Sequence, residues 1–323
     1  MNDSFSVNDA ANLGSEGKRM IPALADIKWV QAAMACKPIR VAVVHSCDAV
    51  SLKGAIEASD AGLIIPIFVA PRRELLALAA SLGLDLRSFR LEDVADSRAA
   101  AVRAASLASS GEVDALMKGS LHTDVFVAAV VAEDSGLHTG RRVSHCFVMD
   151  TPSYARSLII TDGAIHIAPT LDEKADIIRN AIDLATVLGV QQPRVAVLAA
   201  VETVNDRMQS TLDAAALSKM ADRGQIVGAF VDGPLALDDA ISVAAATTKG
   251  IVSTVAGRAD ILLVPDIESG NTLAKALEYL GGARAAGIAL GAKVPLILTS
   301  RADTSASRIA SAALAVLVSN HPR

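Results

Sequence analysis

From Ile39 onward the chain repeats one pattern: a short apolar run, a stop on small or charged residues, then a stretch of helical periodicity. The runs are Ile39–Val44, Leu63–Val69, Val113–Met117, Val143–Met149, Ser157–Thr161, Arg194–Ala199, Ile226–Val231, Ile261–Val264 and Val294–Thr299. Helical segments between them include Arg98–Ser109, Leu171–Leu188, Ser210–Arg223 and Ser305–Val318. Short apolar runs without polar alternation are the mark of strands buried on both faces. Strand–helix alternation over such a length predicts a doubly wound α/β architecture. No internal repeat of 20–50 residues competes with that reading.

Composition narrows the core. Hydrophobic residues make up 52% of the chain and aromatics only 3%, so the interior must be built from Ala, Val, Leu and Ile. The mean hydropathy of +0.41 is high, yet no apolar stretch reaches the length of about 20 residues that a spanning helix needs. The segment Ile309–Val318 is interrupted by Ser311 and fits a buried helix. Against 35 acidic residues stand 30 basic ones, a formal charge of −5 with no basic block. Nucleic acid is therefore not an expected partner, nor is a membrane, although a local anion pocket is compatible with that balance. Cys36, Cys47 and Cys146 form no CxxC pair. The first thirty residues contain no apolar signal core, so the expected compartment is a reducing cytoplasm.

The glycine- and arginine-bearing stretch Gly136–Arg142 is the best crossing point between domains. If the last strand and helix return to the first half, residues 1–139 plus 292–323 form one α/β domain. Residues 140–291 are then an inserted second one, and a cleft lies between the two.

Three strand-to-helix exits carry candidate chemistry, because ligands of open α/β sheets bind outside the carboxyl ends of strands. In LTSRADTSASR, Ser300, Arg301 and Asp303 follow a strand directly, and an arginine fork there suits phosphate. Alternatively, Asp303 or Thr304 is an N-cap of the last helix. In VPDIESGNTLAK, Asp266 sits at a strand end, where it can orient a substrate, take a proton or shape a turn. Gly270 allows a turn with positive φ, Asn271 or Thr272 can cap the next helix, and Lys275 faces either an anion or solvent. In LMKGSLHTDVF, Lys118, Gly119 and Ser120 end a strand, and His122 and Thr123 open a helix. Gly119 would let backbone amides approach an anion that Lys118 neutralises.

Several signatures are missing. The chain has no GxxxxGK[ST] loop, no GxGxxG fingerprint, no HExxH and no GxSxG elbow. His45, His122, His138, His145, His166 and His321 show no tight metal-ligand spacing, so no metal site is expected.

Taken in order, LMKGSLHTDVF, GRRVSHCFVMD, AVLAAVETVNDRMQSTLDAAALSKMADRG, VDGPLALDDAIS, VPDIESGNTLAKAL and VPLILTSRAD resemble the phosphate acetyltransferase/phosphate butyryltransferase family. The resemblance runs in order and spacing from about Lys118 to the C-terminus, and more loosely from Ile39. VDGPLALD and TSRAD look closer to the butyryltransferase branch. The resemblance implies two α/β domains of the isocitrate/isopropylmalate dehydrogenase-like class, a homodimer, and the metal-free reaction acyl-CoA + phosphate ⇌ acyl phosphate + CoA. Coenzyme A would then be a substrate, not a resident cofactor. By similarity, Arg301 would hold phosphate and Ser300 would hydrogen-bond the thioester or thiolate. One departure concerns the base: acetyltransferases carry an aspartate seven residues after that serine, where this chain has Ser307. The family's phosphate arginines nearer the N-terminus also lack clear counterparts near His122–Val130.

Two other readings compete with acyl transfer. A metal- and NAD-dependent dehydrogenase on the same fold would need a carboxylate cluster, to which Asp232, Asp238 and Asp239 come nearest. A non-catalytic acyl-CoA-binding protein would need no base at all.

Overall fold

A computed structural model describes residues 22–300 and 303–321. One eleven-stranded sheet runs through it, in the order β3-β2-β1-β4-β11-β10-β5-β6-β9-β7-β8. The strands β1 (Ile39–Val44), β2 (Ile64–Ala70), β3 (Arg90–Asp93), β4 (Ala115–Lys118) and β11 (Leu296–Ile297) are mutually parallel. A second parallel block holds β6 (Leu158–Thr161), β7 (Arg194–Leu198), β8 (Phe230–Leu235) and β9 (Ile261–Leu263). Between the blocks, β5 (Ser144–Asp150) and β10 (Arg284–Leu290) run antiparallel to each other, and β5 also pairs antiparallel with β6. The fold is therefore mixed α/β on one large sheet, and its centre is antiparallel where the sequence predicts a parallel one.

Eight apolar runs match strands to within two residues, and the ninth, Ile226–Val231, overlaps β8 only at Phe230 and Val231. The two unpredicted strands have physical reasons for escaping notice. β3 reads RLED at the sheet edge and is only partly covered. β10 reads RAAGIAL, and Ala and Gly are poor strand formers outside a packed context.

The helices cover the sheet with Ala- and Leu-rich faces. Helix α11 (Ser305–Asn320) buries every residue from Ser307 to Val316. Ser311, the polar residue in the middle of that run, is satisfied: its Oγ accepts from the Gly287 amide at 2.9 Å and donates to the Ser307 carbonyl at 2.7 Å. A buried hydroxyl bonded this way avoids the cost of an orphaned polar group. Among the described residues no helix is long and apolar enough to cross a membrane.

Register explains where a site can form. A single row of paired residues crosses the sheet: Met117 on β4, Ile297 on β11, Ile288 on β10, Cys146 on β5, Thr161 on β6, Leu263 on β9 and Val197 on β7. Both parallel blocks end within a residue or so of this row, although they run in opposite directions. The exits after β4 and β11 thus meet the exits after β6 and β9 near the middle of the sheet.

Candidate active site

A cleft of about 830 Å³ opens at that meeting point. Lys118, His122 and Thr123 line it from the β4 exit, Asn271 and Lys275 from the helix after β9, and Ser300 and Asp303 from the β11 exit. Seven of the predicted site residues therefore share one cavity. Arg301 lies outside the described residues.

Four predicted site residues do other work. Gly119 packs where a Cβ would lie 2.4 Å from the Val44 carbonyl and 2.6 Å from that of His45, so it lets the β4 exit press against the β1 exit. Ser120 turns away to that same neighbour and donates to the His45 carbonyl at 2.6 Å. Asp266 is the N-cap of α10 (Ile267–Tyr279), accepting from the Ser269 amide at 2.8 Å. Those hydrogen bonds, to the Ser269 amide first and its hydroxyl next, hold the Asp266 carboxyl below the usual range.

Gly270 does not make a left-handed turn, and neither Asn271 nor Thr272 caps the helix, because α10 begins earlier than the glycine suggests. Gly270 lies in the first turns, and an added Cβ there would sit 3.0 Å from Gly163 Cα and 2.6 Å from Val264 Cγ2. Its smallness brings the backbone of α10 against the β6 exit. Asn271 then spans the same contact, donating to the Gly163 carbonyl at 3.2 Å.

At the β11 exit the two cap candidates separate. Thr304 is the N-cap of α11, its hydroxyl accepting from the Ser307 amide at 3.1 Å. Ser307, at the family's base position, is buried in that cap and has its hydroxyl 3.0 Å from that of Thr304. Asp303 is left to the cleft. One oxygen accepts from the Ser300 amide at 2.7 Å, and the other stands 3.7 Å from Lys275 Nζ. Burial raises the Asp303 carboxyl above its ordinary value, against the opposing pull of the Ser300 amide and Lys275. Below it, buried Arg308 donates to the Ser300 carbonyl at 2.9 Å and so fixes the loop that presents both residues.

The cations of the cleft are anchored. Lys118 Nζ donates to the carbonyls of Gly119 and Leu121 at 3.2 and 3.1 Å. Lys275 Nζ pairs with Glu278 at 2.9 Å and lies over the Tyr279 ring at 5.4 Å. Backbone amides add to them, since His122 precedes α5 (Thr123–Val131) without capping it by its side chain. Uncapped amides at a helix start suit an anion.

His145, Phe147, Gly163 and Arg308 were not singled out from the sequence. His145 and Phe147 lie two apart on β5, hence on one face of the sheet, and both line the cleft. Their rings meet edge-on at 4.4 Å. Burial pushes His145 down to about 4, despite nearby Asp162 and a hydrogen bond to the Leu298 backbone. The ring is neutral at pH 7. Period-two reading of GRRVSHCFVMD offered a signal for this pair, but nothing in the string says which face looks into the cleft.

Neither thiol near the sheet suits nucleophilic work. Burial, with Glu74 and Asp48, raises Cys47 to about 11, and burial raises Cys146 to about 12. The acidic residues that a dehydrogenase would need already share a lysine or a backbone amide. Lys249 bridges Asp238 and Asp239 at 3.1 and 2.9 Å, while Asp232 accepts from the Gly233 amide.

Fold and cleft together define a class: an open-sheet α/β enzyme whose central cleft combines anchored cations, helix-opening amides and a carboxyl of raised pKa. Residues 93–316 match the family described as "Phosphate acetyl/butaryl transferase". The chain is 53% identical over 288 residues to a phosphate acetyltransferase of Rickettsia felis, covering 89% of this chain and 82% of the relative. It is 42% identical over 282 residues to a phosphate butyryltransferase of Clostridium acetobutylicum, covering 87% and 94%. Among solved structures, a branched-chain phosphotransacylase from Enterococcus faecalis V583 superposes with a TM-score of 0.78 at 29% identity, covering 88% of this chain and all of that one. The chain belongs to the phosphate acetyl/butyryl transferase family. Relatives of both names overlap in identity, with acetyltransferases at 42–53% and butyryltransferases at 42–49%, so identity does not separate the two branches.

Proposed function

We propose that this acyltransferase interconverts a short-chain acyl-CoA plus inorganic phosphate with the acyl phosphate plus CoA in the central cleft, through a ternary complex. The observation that carries the reading is the convergence of Lys118, His122, Thr123, Asn271, Lys275, Ser300 and Asp303 on one cavity. Phosphate binds at the helix-opening amides of α5 beside Lys118, and Arg301 is assigned to it because a guanidinium fork matches phosphate oxygens. Ser300 hydrogen-bonds the thioester. A phosphate oxygen attacks the carbonyl carbon, the C–O bond forms, and the tetrahedral oxyanion collapses with C–S cleavage. The proton that hydrogen phosphate loses ends on the CoA sulfur.

Asp303 is the residue we assign to carrying that proton, in place of the aspartate that Ser307 replaces. A thiol has a pKa of about 8.5, so a carboxylate that burial raises above its ordinary value is a better matched base than a solvated one. Positioning two bound reactants accounts for the catalysis without a covalent acyl-enzyme, in keeping with the raised thiols of Cys47 and Cys146.

The division into residues 1–139 plus 292–323 and residues 140–291 belongs to this proposal too, as do the isocitrate/isopropylmalate dehydrogenase-like class, the homodimer and the cytoplasmic location. The sheet order supports the division, since β11 joins the block of β1–β4 and β10 joins β5. Segments at the two crossings also touch, through a bridge between His138 and Ala292.

Thiol release from acetyl-, propionyl-, butyryl- and longer acyl-CoAs, with and without phosphate, tests the reaction. Phosphate-dependent release is expected, and release indifferent to phosphate would mark a thioesterase. Arg301→Ala should raise the KM for phosphate or abolish turnover with circular dichroism unchanged; unaltered kinetics would remove Arg301 from the site.

A further inference from the structure

Among the described residues, His45, Cys47 and Glu74 form a group outside the cleft. A ring nitrogen, the Cys47 sulfur and a Glu74 carboxylate oxygen lie within 4.8 Å of one another. They come from different places in the chain: His45 and Cys47 follow β1, and Glu74 opens α3 (Arg72–Ser81), the helix after β2. The first two are half-buried and Glu74 is exposed, so the group can be reached from solvent.

Hydrogen-bond bookkeeping fixes the histidine tautomer. Ser120 Oγ lies 2.6 Å from the His45 carbonyl, which has no hydrogen, so the hydroxyl proton must lie on that line. The same oxygen stands 3.0 Å from His45 Nδ1 and takes the Cys47 amide at 3.3 Å. Toward Nδ1 it can act only as an acceptor. Nδ1 therefore carries the ring proton, and Nε2 keeps its lone pair. A partner that holds one imidazole nitrogen and leaves the other to donate is the outer-shell arrangement of metal-binding histidines. Ser120 also braces the Cys47 backbone, so one hydroxyl orients two of the three donors.

We infer that His45, Cys47 and Glu74 form a binding site for a borderline divalent cation of the zinc class. Imidazole, thiolate and carboxylate donors are the mixture such a cation takes, with a fourth position left to water. Ligand atoms around tetrahedral zinc stand about 3.5 Å apart, given metal–ligand bonds of ~2.0–2.3 Å. With every pair already within 4.8 Å, closing to that spacing needs at most about 1.3 Å of movement, and the exposed Glu74 side chain has the most freedom to make it. Negative charge from Glu74 and Asp48 already acts on Cys47. On binding, the S–H bond breaks, the proton passes to buffer and the sulfur–metal bond forms. The site is independent of the acyl-transfer reading.

The test is calorimetric titration of the chelator-treated full chain with zinc chloride, alongside cobalt(II) chloride monitored in the near ultraviolet. One zinc per chain is expected, with a thiolate-to-cobalt charge-transfer band. Cys47→Ser should abolish the band, Glu74→Gln should weaken zinc binding at least ~10-fold, and Ser120→Ala should weaken it by about 10-fold or more. Cys36→Ser should leave band and affinity unchanged. Zinc should raise the melting temperature of the parent but not of Cys47→Ser, which separates lost binding from lost folding. Less than one zinc per chain, a band that survives Cys47→Ser, or equal affinity in Glu74→Gln would overturn the site.

Discussion

Two aspartates, Asp266 and Asp303, stand in sequence contexts that look alike, each a residue or a few past an apolar run and just before a helix. The fold gives them opposite work. Asp266 caps α10, and the amide and hydroxyl of Ser269 lower its pKa. Asp303 has been relieved of capping by Thr304, faces the cleft, and is raised by burial. A carboxylate that completes a helix stabilises the fold, whereas one kept short of solvent costs stability and gains proton-transfer capacity. A single neighbour, threonine next to the aspartate, decides which it becomes.

The largest expected effect is on rate. Asp303→Asn should lower kcat/KM by about 10²–10⁴-fold, the usual contribution of a general acid–base group, while Asp266→Asn should leave the rate within a few-fold. Steady-state thiol release with both variants checks this, and equal losses would erase the distinction.

Next comes the backbone contact that sets α10 against the β6 exit. Gly270→Ala places a methyl 3.0 Å from Gly163 Cα, and should cost about 1–3 kcal/mol by overpacking. Denaturant unfolding reads that cost. A neutral or stabilising result would mean that helix propensity, not close approach, governs the position.

The smallest effect is the sharpest test, because its sign differs between the two residues. Asp266 has a lowered pKa, so its stabilisation is present above the unfolded carboxylate value and is lost as pH falls through the folded one. Asp303 has a raised pKa, so its contribution is favourable in acid and is lost as pH rises through its folded value. At pH 7 Asp303→Asn should therefore be more stable than the parent, with the gain vanishing in acid. Asp266→Ala should be less stable by about 0.5–2 kcal/mol, the worth of an N-cap. Melting curves at pH 7 and in acid would decide; shifts of the same sign for both would refute the assignment.

Much of the fold could be read directly from the apolar runs, since eight of them match strands closely. β10 escaped because RAAGIAL owes its strand to pairing with β5 along its whole length, not to local preference. The site was legible as residue types at strand exits, and seven of the residues so chosen line the cleft. Gly270 misled because glycine permits both a left-handed turn and a tight helix contact, and the string does not distinguish them. His145 was invisible as a site residue because burial, not sequence, makes it neutral.

Chemistry-bearing residues after strands, and their order along the chain, belong to the sequence: apolar runs make strands, and the polar residues that end them must lie at sheet edges. Which exits meet was decided by tertiary register. Two parallel blocks running in opposite directions end on one row, from Met117 to Leu263, only because antiparallel β5 and β10 stagger them there. Long-range pairing also brought His45 and Cys47 to Glu74, across strands that no local spacing connects. Side-chain type is local information, but proximity and burial, and therefore pKa, are properties of the packed sheet.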